Sequence, residues 1–180
     1  GTQNILLRFV RDGRAYVFRR PPAHPRPNSH ETMRREARVL RAIADTNVPH
    51  PGLIADCGDE SLLGYAFYLM EPVDGFNPVG QLPQPHAGSS AMRHAMGLAL
   101  VDGIAALGAL DHRTLGLDGF GKPDNFLARQ VDRWRGQLAS YVEFPDWTGP
   151  DALPSVAAVG DWLERHRPAE FTPGILHGDY

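Results

Sequence analysis

The sequence predicts an α+β fold of two lobes, and three features of its 180 residues support that prediction. Strand-like segments and one helix occupy the first part of the chain. A loop rich in proline and glycine, residues 75–88, then interrupts the pattern. The remainder shows mainly helical periodicity, with a short apolar run close to the end. We therefore expect residues 1–75 to form a small β-rich N-lobe with one helix and a hinge at residues 70–75, and residues 76–180 to form a mainly helical C-lobe.

The first predicted element is a β-hairpin. Residues 5–10 and 15–19 are typical of strands, and Asp12-Gly13 between them is a strong signal for a tight turn. A proline-rich connector, residues 21–27, can form neither a helix nor a central strand. The hairpin is therefore expected to end before this connector.

A helix is predicted from Asn28 or Ser29 to about Ala44. Asn28 and Glu31 have the spacing of a capping box at its start. The buried face of this helix is indicated by apolar residues that recur at helical spacing: Met33, Ala37, Leu40 and Ala44.

Two further strands are predicted at residues 53–54 and 65–70, the second rich in aromatic side chains. Pro72 follows the second strand, and it has no N–H group to continue a ladder. We therefore expect the backbone groups of Glu71 and Val73 to be available to another partner.

The second half is predicted to contain three helices, at residues 90–110, 125–142 and 154–167. The first has an apolar stripe that we interpret as core: Met92, Ala95, Met96, Ala99, Gly103, Ile104 and Leu107. Near the end of the chain, Ile175 and Leu176 are typical of a buried strand end. That strand would lead into the turn His177-Gly178-Asp179.

Asp179 and Glu36 are the carboxylates whose positions suggest chemistry. An Asp on a loop after a buried strand can accept the proton of an attacking hydroxyl, although Asp is also an ordinary turn residue. Glu36 lies on or beside the apolar helix face, where a carboxylate is costly unless it is paired, and the alternative is a side chain that reaches solvent. The expected partner is Arg19 or Arg20, which strand alternation would direct to opposite faces.

Composition excludes several function classes. The net charge of -3 suggests neither a nucleic-acid partner nor a membrane partner, but ten arginines and three acids lie between Arg8 and Arg41, a bias that suits an anionic ligand. Cys57 is the only cysteine, so no internal disulfide or Cys-based metal site is possible, and a cytoplasmic location is the default. The histidines lack the paired spacing of a zinc hydrolase. Because the chain begins without Met, we expect it to be a piece of a longer protein.

The order of these features resembles the aminoglycoside phosphotransferase family, also called the choline/aminoglycoside kinase-like group. More narrowly, it is similar to the phosphotransferase domains related to those fused to some acyl-CoA dehydrogenases. The similar stretches, which extend over the whole chain, are residues 1–4, 16–22, 35–40, 67–75, 119–123, 129–134 and 177–180. The resemblance implies a protein-kinase-like fold in which the C-lobe is incomplete at its C-terminus, and an ATP- or GTP-dependent transfer of phosphate to a hydroxyl of a small molecule.

The resemblance also implies a role for individual residues. Asp179 would be the catalytic base, and Arg19 would take the place of the lysine that contacts the nucleotide phosphates, held by Glu36. The backbone from Met70 through Glu71 to Val73 would bind the adenine edge. The remaining nucleotide contacts would come from the end of the loop over the phosphates: Gly1, Thr2 and Asn4.

Two departures from the family pattern leave alternatives open. The strand cation is arginine, which is not interchangeable with lysine, and the metal-binding residues that follow His-Gly-Asp in the family would lie beyond Tyr180. We therefore expect Mg²⁺ with ATP or GTP in the longer protein, but poor catalysis by these 180 residues alone. The alternatives are a non-catalytic, pseudokinase-like nucleotide-binding module, a truncated inactive fragment, and a helical interaction domain.

Overall fold

Four strands form one antiparallel sheet in the computed structural model, which describes residues 4–178. The strands are β1 (Ile5–Arg11), β2 (Arg14–Arg20), β3 (Leu53–Cys57) and β4 (Phe67–Met70). Their spatial order is β1-β2-β4-β3, so β2 and β4 are the central strands. Side chains alternate between the two faces of the sheet along each strand. Residues of the central strands that point to the same face therefore lie side by side, where they can form a site.

The predicted hairpin is confirmed. Asp12 and Gly13 have φ angles of 51° and 76°, and Arg11 faces Arg14 across the turn. Two successive residues with positive φ are the requirement of the tight turn that matches strand twist, and Asp-Gly satisfies it at low steric cost.

Helix α1 (Ser29–Ala42) packs against the sheet through the predicted face, except that Ala44 lies beyond the end of the helix and is exposed. Met33 and Ala37 are buried together with Ala66 and Tyr68, and these four residues form the first core cluster. The predicted capping box is wrong. Asn28 has a φ of 71° and its side chain makes no capping hydrogen bond, because a side-chain cap requires an extended backbone at that position.

Helix α2 (Ser90–Gly108) contacts the core through its C-terminal half only. Leu107 is buried with Ile43 and Val48 in the second core cluster, against which Ile104 packs. The prediction that the whole apolar stripe is core is wrong for Ala95 and Ala99, whereas Met92 and Met96 are partly buried. Ala95 and Ala99 are exposed, because the second core cluster reaches only the last two turns of the helix.

The predicted late strand is also wrong. Residues 171–177 form no regular secondary structure, Ile175 packs at the edge of the second core cluster, and Leu176 is 69 % exposed. A strand needs a neighbouring strand for its backbone hydrogen bonds, and none is formed for this segment within residues 4–178.

By packing, the described chain divides into two compact units. The first contains the residues up to Asp118 and those from Gly174 onward, and the second is Gly119–Pro173. The second unit contains α3 (Gln130–Ala139), α4 (Val156–Arg165) and three short 3-10 helices, namely Leu127–Arg129, Ser140–Glu143 and Pro150–Ala152. This division does not test the predicted lobes, 1–75 and 76–180, which stay a prediction. Within residues 4–178, no helix has both the length and the apolar character that crossing a membrane requires.

Candidate active site

The candidate site is built on the two central strands of the sheet. Arg19 on β2 and Tyr68 on β4 are directly opposite each other in the antiparallel register. Opposed residues of an antiparallel pair lie on the same sheet face with their Cβ atoms about 5 Å apart. The register alone therefore places a cation beside a phenol on the face that α1 covers.

Helix α1 adds Glu36 to this pair. The Nε of Arg19 lies 3.0 Å from Oε2 of Glu36, and its Nη2 donates to Oε1 at 3.2 Å. The Tyr68 hydroxyl donates to Oε2 of the same carboxylate at 2.9 Å. Both charged side chains are about one third exposed, at 27 % for Arg19 and 30 % for Glu36. The expected pairing of Glu36 with a strand cation is thus observed, and the cation is Arg19.

Arg20 belongs to the other face of the sheet. Its guanidinium lies over the ring of Tyr65 at 4.5 Å, and its Nη1 donates to the carbonyl oxygen of Pro21. Phe18, two residues before Arg20 and so on the same face, contacts Phe67 with ring centroids 5.1 Å apart. Strand alternation therefore separates the two arginines, as the sequence predicts.

Tyr68 is a member of the site that sequence reasoning missed. It is only 3 % exposed, and burial, reinforced by the negative charge of Glu36, raises the pKa of its hydroxyl well above the ordinary value. The phenol therefore keeps its proton at neutral pH and remains a donor to Glu36. The indication in the sequence is the aromatic strand itself, because Tyr68 precedes Met70 by two residues and strand alternation therefore places both on one face.

The hinge segment begins where β4 ends. Met70 is partly buried against the first core cluster and faces Val17 of β2. It lies two residues from Tyr68, or about 7 Å along the strand. The Arg19–Glu36 pair and the start of the hinge therefore share one face of the sheet.

The expectation that the backbone N–H of Glu71 is available is wrong. It donates to the carbonyl oxygen of Gly52 at 2.8 Å, which continues the pairing of β4 with the segment before β3. The Glu71 side chain lies close over Gly52 and receives a hydrogen bond from Arg14 at 3.0 Å. Within residues 4–178, no such bond is found for the carbonyl of Glu71 or the N–H of Val73, whose side chain is 71 % exposed.

The remaining predicted site residues are only partly described. Gly1, Thr2 and Asp179 lie outside residues 4–178, so their predicted roles stay predictions. Asn4 is half-buried immediately before β1. Gly178 has a φ of 86°, so the backbone turns sharply directly before Asp179, at a position that favours glycine.

Metal binding is not provided by the described part of the chain. Within residues 4–178, no group of three or more His, Cys, Asp or Glu side chains could hold a metal ion. We therefore derive no chemical step through a metal from this part of the chain.

A separate groove lies in the second compact unit, between α3 and α4. It has a volume of about 740 Å³ and a mainly apolar lining that includes Val131, Trp134, Val159 and Leu163. None of the predicted site residues that the structure describes lines it. The lining also includes Arg135 and Arg167, which are paired with Asp161 and Glu164, respectively.

Comparison with known proteins gives the family context. Residues 4–180 match the family described as "Phosphotransferase enzyme family". Among curated relatives, the "Probable acyl-CoA dehydrogenase IBR3" of Arabidopsis thaliana is 34 % identical over 92 % of the chain, and "Acyl-CoA dehydrogenase family member 11" of Gallus gallus is 31 % identical over the whole chain. The chain spans about a fifth of the length of these relatives, at 20 % and 22 %.

The fold is similar to that of a solved structure. The crystal structure of "a putative aminoglycoside phosphotransferase" from Ralstonia eutropha matches with a TM-score of 0.71 and 34 % identity. The match covers 94 % of this chain and 46 % of the other. The small antiparallel sheet followed by helices is thus the α+β, kinase-like fold that the sequence predicts.

Proposed function

The chain belongs to the phosphotransferase enzyme family, and on that premise we propose that the full-length protein transfers the γ-phosphoryl group of ATP or GTP to a hydroxyl of a small molecule. The observation that supports this most strongly is the Arg19 guanidinium, held against Glu36 on the sheet face that leads to the hinge. Such a cation is what the phosphates of a nucleotide require, and phosphoryl transfer depends mainly on positioning and on charge stabilisation.

Arg19 is proposed to bind the nucleotide phosphates. A guanidinium has five N–H donors in a rigid fork; the Arg19 Nη2 donates to Glu36, and the Nε lies 3.0 Å from the same carboxylate. Glu36 therefore fixes the plane of the fork while leaving Arg19 its positive charge. Because both side chains are about one third exposed, a phosphate can approach them without rearrangement of the core.

The hinge backbone is proposed to bind the adenine edge, which offers one donor and one acceptor. The N–H of Glu71 is engaged by Gly52, so the Glu71 carbonyl and the Val73 N–H are the groups we assign to the base. Pro72 between them has no N–H group that would compete. Gly1, Thr2 and Asn4 are proposed to border the phosphates from the preceding loop.

Asp179 is proposed to be the catalytic base. It would accept the proton of the acceptor hydroxyl as the hydroxyl oxygen attacks the γ-phosphorus. The bond from that phosphorus to the bridging β-phosphate oxygen breaks, and the nucleoside diphosphate leaves. Mg²⁺ would supply charge neutralisation of the phosphates when bound.

The test is a phosphotransfer assay of the full-length protein with ATP or GTP, Mg²⁺ and a panel of hydroxylated small molecules. We expect Asp179→Ala to lower kcat by about 10²-fold or more, since general bases contribute about 10²–10⁴-fold. Asp45→Ala, which removes an exposed turn carboxylate, is the matched control and should retain wild-type activity. Wild-type turnover by Asp179→Ala would overturn the proposal.

A second candidate is a nucleotide-binding module without catalysis, and the observation that favours it is arginine in place of lysine at the strand cation. It predicts nucleotide affinity that is the same with Mg²⁺ and with EDTA, and no acceptor that becomes phosphorylated.

A cytoplasmic location also remains a proposal, which rests on the single cysteine.

A further inference from the structure

The Glu36 carboxylate is held from two sides by residues of two different strands. Its Oε2 accepts a hydrogen bond from the Tyr68 hydroxyl at 2.9 Å and lies 3.0 Å from the Arg19 Nε. Its Oε1 accepts a hydrogen bond from the Arg19 Nη2 at 3.2 Å. One carboxylate therefore joins the cation on β2 to a hydroxyl on β4, which is opposite Arg19 in the sheet register.

The three members of this group differ in how firmly the core holds them. The Tyr68 ring is buried in the first core cluster with Met33, Ala37 and Ala66, so packing fixes the position of its hydroxyl. Glu36 and Arg19 are each about one third exposed, and long, partly exposed side chains sample several rotamers. A hydrogen bond from a fixed donor selects one rotamer of Glu36, and the ion pair with its single Nη2 hydrogen bond then selects one orientation of Arg19.

We propose that Tyr68 is a positioning residue for nucleotide binding, which acts through Glu36 on the orientation of the Arg19 guanidinium. This inference rests on the proposed function of Arg19. Orientation matters here because the cation is an arginine. A planar fork binds a phosphate well only when its plane is aligned, whereas a lysine ammonium acts as a point charge.

The experiment measures the Kd of ATP with Mg²⁺ for the full-length protein by isothermal titration calorimetry. Tyr68→Phe removes only the hydroxyl and should weaken binding about 3- to 10-fold. This is less than the loss of a direct hydrogen bond to a charged group would cause, because the hydroxyl acts on the phosphate only through Glu36 and Arg19. Tyr16→Phe is the matched control. Its ring stacks on Phe9 with centroids 5.2 Å apart, and it should leave the Kd unchanged.

A double-mutant cycle distinguishes positioning from a general structural effect. If Tyr68 acts through the Glu36 carboxylate, Tyr68→Phe should change the Kd little in a Glu36→Ala background, which has no acceptor for the Tyr68 hydroxyl. An equal loss of affinity in both backgrounds would mean that the hydroxyl acts independently of Glu36 and would overturn the inference. A lower Tm without any change in Kd would also overturn it, since that is the result of a merely structural role.

A measurement on the unmutated protein covers the case in which Tyr68→Phe does not fold. With tyrosine labelled at the ζ-carbon, the Tyr68 resonance should shift when ATP is added, because phosphate binding changes the contacts of Arg19 and Glu36. A resonance that does not move while ATP binds would contradict the inference but leave the proposed function standing. If the wild type binds neither ATP nor GTP, the proposed function and the inference both fail.

Discussion

At the scale of the residue, the site depends on one carboxylate that two donors share. Arg19 and Tyr68 both contact Oε2 of Glu36, and each is supplied by a different strand. A partly buried carboxylate of this kind is stable only while its partners remain in place. The geometry is therefore sensitive to changes of a single functional group.

The ionisation of Tyr68 gives a prediction about stability and pH. Its pKa in the folded protein is raised by burial, whereas in the unfolded chain it should lie near the ordinary value of about 10. Below that pH both states keep the proton. Above it the unfolded chain loses the proton first, so the stability that the protonated phenol contributes is lost as the pH rises.

We therefore expect the free energy of unfolding to fall more steeply for the wild type than for Tyr68→Phe between pH 9 and pH 11. The difference in slope should reach at most about 1.4 kcal/mol per pH unit. Urea denaturation at several pH values measures it, and the other titrating groups cancel because both proteins contain them. Parallel pH profiles would show that Tyr68 ionises as it does in the unfolded chain.

At the scale of the element, two glycines with opposite backbone requirements give a paired prediction. Gly13 has a φ of 76° in the β1–β2 turn, whereas Gly97 lies within α2, and an added Cβ at either position would meet no atom within 4 Å. The two substitutions therefore differ in backbone conformation and not in available space.

Gly13→Ala should lower the free energy of unfolding by about 1–2 kcal/mol, because an L-residue is disfavoured at positive φ. Gly97→Ala should raise it by about 0.5–1 kcal/mol, the difference in helix propensity between the two residues. Chemical denaturation of each full-length variant measures both. Two changes of the same sign would contradict the assigned turn or the assigned helix.

Helix α1 also shows what the sequence could predict at this scale and what it could not. Most of its buried face, and the position of Glu36 on or beside that face, follow from helical spacing, and the separation of Arg19 from Arg20 follows from strand alternation. The role of Tyr68 depends on the register between β2 and β4, which no local pattern contains. The capping box failed because the choice of backbone conformation at Asn28 cannot be read from the residue type.

At the scale of the whole molecule, long-range contacts connect α1 to the loop after α2 within the first compact unit. The Arg38 Nη2 donates to the carbonyl oxygens of Gly116 and Asp118 at 2.8 and 3.1 Å. Leu117 between them is only 2 % exposed. The helix that supplies Glu36 therefore also holds a loop about 80 residues further along the chain.

Arg38→Ala should loosen this loop selectively. We expect amide hydrogen exchange at Leu117, whose N–H donates to the His112 carbonyl, to become about 10-fold faster, since one or two hydrogen bonds are lost. Arg41→Ala is the matched control, because Arg41 pairs with Asp56 on β3 and does not contact the loop. Equal protection in both variants would show that Leu117 is held by packing alone.

Contacts between distant segments are what local sequence patterns predict least well. The α+β class follows from the order of periodic segments, which is a local property summed along the chain. The burial of Ala95 and Ala99, and a strand at Ile175 and Leu176, were inferred from apolar pattern alone. Apolar pattern shows that a segment can be buried but does not identify the element that would cover it; within residues 4–178, Ile175 packs at the edge of the second core cluster, whereas Ala95, Ala99 and Leu176 are exposed.

The most direct test of the central claim, that Arg19 held by Glu36 binds the nucleotide phosphates, is the Kd of ATP with Mg²⁺ for the full-length wild type, Arg19→Ala and Arg20→Ala. The two variants remove the same charge from adjacent positions on opposite sheet faces. We predict that Arg19→Ala weakens binding about 10- to 100-fold, which is the loss of affinity expected when a hydrogen bond to a charged group is removed. Arg20→Ala should weaken binding less than about 3-fold. Equal losses, or a greater loss for Arg20→Ala, would contradict the claim.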